Sequence, residues 1–343
     1  MKKIIVQEPL FICAGEPSGD RYGALFVKQL KRGKPKLKIC GVGGDCMRKV
    51  GVTIVDDYTK LGTFGFSEGF CSFYSNFKMY AAIARRIYQI RPKTFIAVAY
   101  PGVNLPLCSY AKRLGCRIFY FLPPQIWAWG SFRKYFVKKW VDSVISIFPF
   151  EYEFYKKNGI ITDYFENPLC RELRQYRRND FAKRIGFMPG SRKSQIKRNL
   201  PIMIDMMKNV ATKQPKMEFV VILHSKEMGN SECIKKALEN LKNLLQNNVV
   251  IITEKQYQSM KNCDLLIISS GTASLEALFM SIPQVFVNRP SFFDYYIFRH
   301  FLNIEEYNLA NLYLNKKIVT SIISSRKIHI IRSLREIDLS DYC

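Results

Sequence analysis

Histidine is nearly absent, with 3 in 343 residues, and the ten cysteines form no Cys-x-x-Cys pair, so the short-spaced ligand sets of a zinc site are missing. Neither a metal nor an organic cofactor is expected. No run of about 18 uninterrupted apolar residues occurs, which argues against a spanning helix. The opening apolar stretch is broken by Gln7, Glu8 and Pro9 and has neither the core nor the cleavage site of a signal peptide. Scattered cysteines, with Cys13 and Cys40 in strand-like runs, fit a reducing compartment, and the chain reads as cytoplasmic. Acid is scarce too: 28 Asp and Glu stand against 53 Lys and Arg, a net charge of +25 that favours an anionic partner. No nucleic-acid motif or aromatic platform accompanies that charge, so nucleic acid is not expected; an acidic membrane or a phosphorylated small molecule remains.

What is present is a regular alternation of strand and helix signals. Apolar runs at Pro9–Ala14, Lys38–Val42, Thr94–Ala99, Arg117–Phe121 and Ser143–Ile147 are separated by helical stretches such as Tyr22–Leu30, Ser75–Gln89 and Leu105–Leu114. A charged stretch, Arg171–Arg184, precedes a second series at Ile185–Met188, Glu218–Leu223, Val249–Ile252, Leu265–Ile268 and Gln284–Val287. This pattern predicts an α/β protein of two doubly wound, Rossmann-like domains, 1–175 and 176–343, facing a cleft, with ligand sites beyond the carboxyl ends of the strands. The halves share no sequence repeat.

Three segments carry candidate chemistry. In Cys263–Glu276 an unbroken aliphatic strand ends in Ser269, Ser270, Gly271 and Thr272 at the start of a helix, whose N–H groups present partial positive charge to an anion such as a diphosphate. Glu276, one turn on, is placed to accept hydrogen bonds from sugar hydroxyls. The same residues also fit an ordinary strand-to-helix turn with Thr272 as cap. Gly190, Ser191 and Arg192 end another strand, where backbone N–H, hydroxyl and guanidinium groups suit phosphate; a surface loop is the competing reading. Pro123–Trp129 holds two of the three tryptophans directly after a buried strand, lining a pocket mouth or closing the core. Aromatics from Phe64 to Tyr74, followed by Lys78, Arg85 and Arg86, fit either a core-facing element or one resting on anionic lipid.

Taken in order, Ala14–Asp20, Gly41–Gly44 with Met47, Pro124–Trp129 with Arg133, Phe148–Glu151, Pro189–Arg192 and Ser270–Glu276 resemble the lipid-A-disaccharide synthase family over roughly residues 10–320. As a set these motifs are highly specific. The resemblance implies a GT-B glycosyltransferase that joins UDP-2,3-diacylglucosamine to 2,3-diacylglucosamine 1-phosphate, peripherally associated with the inner face of the cytoplasmic membrane. It implies a donor site of Gly190, Ser191, Arg192, Ser270, Gly271, Thr272 and Glu276. Ser18, Asp20, Gln125 and Trp127 would bind the acceptor, with Glu16 as a substitute base. The substitute is needed because the family's Asp-Ala-Pro-Asp-Phe-Asn run reads Ala99-Tyr100-Pro101-Gly102-Val103-Asn104 here, without either carboxylate. Gly130, Asn167, Gln195 and Thr320-Ser321 are further departures, and a non-catalytic homologue that binds nucleotide sugar or glycolipid is the alternative they raise.

Overall fold

The computed structural model describes residues 6–58, 69–127, 132–176, 183–223, 231–245 and 248–292, together with 295, 308–327, 329, 330 and 333. The chain divides into two compact units, Met1–Pro168 and Leu169–Cys343. None of the described helices is long and apolar enough to cross a membrane.

The first unit is built on a seven-stranded sheet: β1 (Leu10–Ala14), β2 (Ile39–Val42), β3 (Thr53–Asp56), β4 (Thr94–Val98), β5 (Arg117–Phe121), β6 (Ser143–Ser146) and β7 (Thr162–Tyr164). Every pairing is parallel, in the order β3-β2-β1-β4-β5-β6-β7. Strands β1 and β4 are buried along their whole length, which is why they read as continuous apolar runs instead of alternating ones. The helices are α1 (Pro17–Gly33), α2 (Asp45–Lys49), α3 (Gly69–Ile90), α4 (Pro101–Arg113), α5 (Arg133–Trp140), α6 (Pro149–Lys157) and α7 (Pro168–Leu173), the last reaching into the second unit. Met79 and Ile83 of α3, Val103 and Leu107 of α4 and Val137 of α5 share one core with Phe11, Phe95, Ile118 and Tyr120. The opposite face carries α1, whose Phe26 stacks on Phe121 at 4.5 Å and meets Phe165 edge-on. Each fully buried aromatic of this kind contributes about 2 kcal/mol. The chain winds from β1 outward to β3, then returns to β4 on the other side of β1, so the order reverses between β1 and β4.

The second unit repeats the plan with six strands: β8 (Arg184–Met188), β9 (Glu218–Ile222), β10 (Val249–Ile252), β11 (Leu265–Ile268), β12 (Gln284–Asn288) and β13 (Thr320–Ile323), ordered β10-β9-β8-β11-β12-β13 and parallel throughout. Its helices are α8 (Lys193–Lys213), α9 (Glu232–Leu245), α10 (Gln256–Lys261), α11 (Gly271–Phe279) and α12 (Leu309–Leu314), with a 3-10 turn at Arg174–Tyr176. Ile196, Leu200, Met203 and Met207 recur at helical spacing and seat α8 on the sheet. Here the order reverses between β8 and β11.

The expected strands and helices all form, several with shifted ends. Helix α4 begins at Pro101, four residues before the periodic signal, because proline fits the first helical turn. Strand β4 stops at Val98 because Ala99 and Tyr100 both turn into the left-handed region, at φ 50° and 45°. Strands β3, β7 and β13 are additional; each is a sheet edge of three or four residues, all at least partly exposed but for Ile322, without a sustained apolar run.

Candidate functional site

In the second unit, Gly190–Arg192 follows β8 and Ser269–Thr272 follows β11, and these strands are direct neighbours with Ile268 opposite Met188. Both segments therefore leave the same carboxyl edge at the point where the strand order reverses, the location at which open α/β sheets hold ligands. Gln195, in the first turn of α8, locks them together. Its Oε1 accepts from the Ser191 backbone N–H at 3.1 Å and its Nε2 donates to the Ser269 carbonyl at 2.6 Å. Gly190 has φ +140° and a Cβ there would lie 2.6 Å from Gln195 Oε1, so glycine is required both by backbone and by space.

Two helix N-termini open at this edge. Neither Arg192 before α8 nor Ser270 before α11 uses its side chain to cap the first turn. Arg192 and Thr272 are exposed, and Ser191 likewise. Gly271 brings the start of α11 against Leu309, where a Cβ would meet Cδ1 at 3.0 Å. Glu276 lies one turn inward, 7% exposed, with its Oε1 accepting from Tyr257 Oη at 2.8 Å. Behind the edge, buried Asn199 donates to the Pro189 carbonyl and accepts from the Arg289 N–H, tying the end of β8 to that of β12.

The first unit has the same construction. Glu16 follows β1 and the Ala99–Gly102 turn follows β4, again on either side of the reversal. Ser18 Oγ donates to Glu16 Oε1 at 2.9 Å. Burial, and then the nearby Glu16 carboxylate, push the Tyr100 phenol up; its hydroxyl donates to Asn76 Oδ1 of α3 at 2.6 Å. Buried Asn104 donates to the carbonyls of Cys13, Val98 and Ala99, binding the ends of β1 and β4. Gly102 is exposed, and a Cβ added there meets only Asn76 Nδ2 at 3.6 Å, ordinary contact, so the position has room for a side chain.

Asp20 is placed differently from its expected companions. It is 5% exposed and accepts from the backbone N–H groups of Gly44, Cys46 and Met47 at 2.7, 2.9 and 3.1 Å. It thus caps α2 from a distant element, a structural task. Gln125 and Trp127 follow β5, one strand beyond β4; Gln125 is exposed and Trp127 half-buried. Ala128–Ser131 and Phe64–Glu68 lie outside the described residues.

One residue gains a role that no sequence reading gave it. Glu151, in the first turn of α6, is 2% exposed, accepts from Trp127 Nε1 at 3.2 Å and from Ser146 Oγ at 2.5 Å, and so ties the Trp127 indole to the end of β6. Burial pushes its carboxyl up to about 7, against those two hydrogen bonds. The available signal was its place in Phe148–Glu151, an acid just after Pro149 at a strand-to-helix junction.

The family description Lipid-A-disaccharide synthetase matches residues 10–337. The chain belongs to that family. It is 32% identical to lipid-A-disaccharide synthase 1 of Legionella pneumophila strain Paris, over 96% of this chain and 86% of that one. To the lipid-A-disaccharide synthase of Geobacter metallireducens it is 29% identical, over 92% and 83%. Among solved structures, S. aureus MnaA in its co-structure with UDP superposes with a TM-score of 0.64 at 11% identity, over 97% of this chain and 89% of that one, a likeness of fold. The protein is a lipid A disaccharide-forming glycosyltransferase with the two Rossmann-like units of the GT-B fold.

Proposed function

We propose that the protein joins UDP-2,3-diacylglucosamine to 2,3-diacylglucosamine 1-phosphate, releasing UDP and forming a β-1,6-linked disaccharide 1-phosphate. The carrying observation is the Gln195 bridge, which holds the Gly190–Arg192 turn beside Ser269 at the strand reversal of the second unit. The second unit then takes the donor: Gly190, Ser191, Ser270, Gly271 and Thr272 offer N–H and hydroxyl groups to the diphosphate, Arg192 neutralises the charge that grows on it, and Glu276 lies toward the ribose. The first unit takes the acceptor through Ser18, Gln125 and Trp127, with Asp20 shaping the adjoining turn. In the transfer, the acceptor hydroxyl oxygen bonds to the donor's anomeric carbon while the bond from that carbon to the β-phosphate oxygen breaks. The electron pair leaves with UDP and the hydroxyl proton passes to Glu16, with inversion at the anomeric carbon.

Both substrates carry acyl chains, so the protein works at the inner face of the cytoplasmic membrane, held peripherally by an anionic surface that complements its +25 charge. The missing carboxylates at Ala99 and Gly102 favour a second reading, a homologue that binds nucleotide sugar or glycolipid without turnover.

UDP release from the two detergent-dispersed glycolipids separates these readings. Turnover is expected, with kcat/KM about 100-fold lower in Arg192→Ala and kcat lowered without a matching rise in KM in Glu16→Gln. UDP binding with no release gives the second reading, and neither binding nor release rejects both.

A further inference from the structure

Ala99 and Tyr100 are the one consecutive pair of non-glycine residues in the left-handed region among the described residues, at φ 50° and 45°. Aromatic side chains rarely take that backbone, and such strain persists only where the surroundings fix it. Here they do. Asn104 Nδ2 and Tyr120 Oη both donate to the Ala99 carbonyl at 2.9 Å, while the Tyr100 carbonyl accepts from the Asn104 N–H at 3.0 Å. In the family run an alanine stands between the two acidic positions; this chain has Tyr100 there, between Ala99 and Gly102 with Pro101.

The turn sets a phenol on the carboxyl edge of the first unit. Its ring lies against Gly15, where an added Cβ would be 3.1 Å from Tyr100 Cδ1 and 3.3 Å from Met79 Sδ, so it is wedged between the end of β1 and α3. Glu16 is the next residue along. Burial, and then that carboxylate, push the phenol up, so Tyr100 keeps its proton and donates it to Asn76 Oδ1 at 2.6 Å. With its hydrogen committed, the Tyr100 oxygen can only accept from a ligand. Asn76 has the complementary remainder: its oxygen is taken, and its Nδ2, 3.6 Å from where a Gly102 Cβ would lie, has no acceptor among the described residues. Glu16, Asn76 and Tyr100 are all half-buried, so each keeps part of its surface open.

The edge therefore offers an acceptor at Tyr100 Oη, a donor at Asn76 Nδ2 and the carboxylate of Glu16. One hydroxyl can donate to the first and accept from the second, while another hydroxyl of the same molecule gives its proton to the third. A 2,3-diacylglucosamine 1-phosphate carries such a pair. Its positions 1, 2 and 3 are substituted and position 5 closes the ring, so the 4- and 6-hydroxyls alone are free, and a β-1,6 link consumes the 6-hydroxyl.

We propose that Tyr100 and Asn76 bind the 4-hydroxyl of the acceptor sugar and thereby aim its 6-hydroxyl at Glu16. The proposal rests on the transfer put forward above and adds how its acceptor is recognised. A site built to pair with a hydroxyl discriminates against an analogue lacking it, because the site's own polar groups then lose their partners.

The test compares 2,3-diacylglucosamine 1-phosphate with its 4-deoxy analogue, both dispersed in detergent, reading UDP release and, by calorimetry, binding to the full chain. For the parent chain, loss of the 4-hydroxyl is expected to lower kcat/KM and affinity about tenfold, roughly the worth of a neutral hydrogen bond. Tyr100→Phe keeps the ring on Gly15 and should lower both about tenfold with the natural acceptor, while the 4-deoxy acceptor changes less than about twofold. Adding Asn76→Ala should erase what preference remains. The KM for the UDP-sugar should stay within about twofold in both variants, since the donor does not meet this pair. Equal losses with the two acceptors in Tyr100→Phe, which a merely structural phenol would give, overturn the proposal, and so does a parent chain indifferent to the 4-hydroxyl. Calorimetry separates this failure from that of the transferase reading. No UDP release by the parent chain, with binding that prefers the 4-hydroxyl through Tyr100, rejects turnover alone; release without that preference rejects the pair alone. A parent chain that neither binds the acceptor nor releases UDP rejects both.

Discussion

Replacing Glu151 by glutamine should make the first unit more stable, and increasingly so as pH rises. The carboxyl is 2% exposed and its folded pKa is about 7, raised from an ordinary 4.5. The unfolded chain therefore loses this proton first, the folded state holds more protons through the interval from about 4.5 to 7, and stability falls as pH rises across it. Because each tenfold difference in proton affinity between the folded and unfolded chain is worth about 1.4 kcal/mol, the full penalty is about 3 kcal/mol by pH 8, about 1 kcal/mol at pH 5, and close to nothing below pH 4. Glutamine reproduces the protonated acid: its carbonyl accepts from Trp127 Nε1 and its amide donates to Ser146 Oγ, whose hydroxyl then turns to the Phe148 carbonyl at 3.3 Å. Trp127, Trp129 and Trp140 are the chain's three tryptophans and all lie in the first unit, so urea unfolding followed by indole fluorescence reads that unit alone. The variant's advantage should widen by about 2 kcal/mol between pH 5 and pH 8. A constant difference across that range, or a loss that grows with pH, would refute the assignment of a carboxyl held protonated by burial.

Asp20→Ala should destabilise the same fluorescence transition by about 3 kcal/mol, since three inward N–H groups of α2 lose a charged acceptor; Asp20→Asn, which keeps one oxygen for two of them, should cost about half as much. Gly102→Asp should stabilise the first unit by about 1 kcal/mol, as it removes a helical glycine and puts an acid in the first turn of α4. With Glu16 taking the proton, the same variant should leave kcat for UDP release within about twofold of the parent chain, whereas a tenfold or greater rise would place the base at position 102.

The sheets were legible in the sequence wherever strands are buried on both faces. Leu265–Ile268 and Arg117–Phe121 have the observed bounds because nothing but an aliphatic or aromatic run fills a strand with helices on either side. Edge strands such as Thr162–Tyr164 were hidden by their exposure, which lets polar residues in. The second unit's site was legible as two segments, a glycine turn ending in arginine and a serine-glycine helix start. Their adjacency was not, since β8 and β11 are separated along the chain by two strands and three helices among the described residues and meet only through the reversal of strand order. Glu151 escaped notice for a similar reason: its pKa is a property of the burial that α6 and Trp127 impose, and sequence carries no record of that environment.

The departures from the family pattern look different once their surroundings are known. Gln195 stands where the family has a glutamate, yet its amide donates to the Ser269 carbonyl while its oxygen accepts from Ser191, a pair of bonds that a carboxylate, having no hydrogen to give, cannot make. Glutamine at this position supplies the join between the two segments. Ala99 is the opposite case. At φ 50° it occupies a conformation that aspartate tolerates better than alanine, with Tyr100 at φ 45° beside it, and the turn is kept in place by Asn104 and by Tyr120, whose hydroxyl donates to the Ala99 carbonyl at 2.9 Å. The carboxylates of the family pattern are missing at Ala99 and Gly102, while the backbone of the turn is braced from two directions. On the proposed mechanism the proton goes instead to Glu16, which follows β1 on the other side of the strand reversal from this turn.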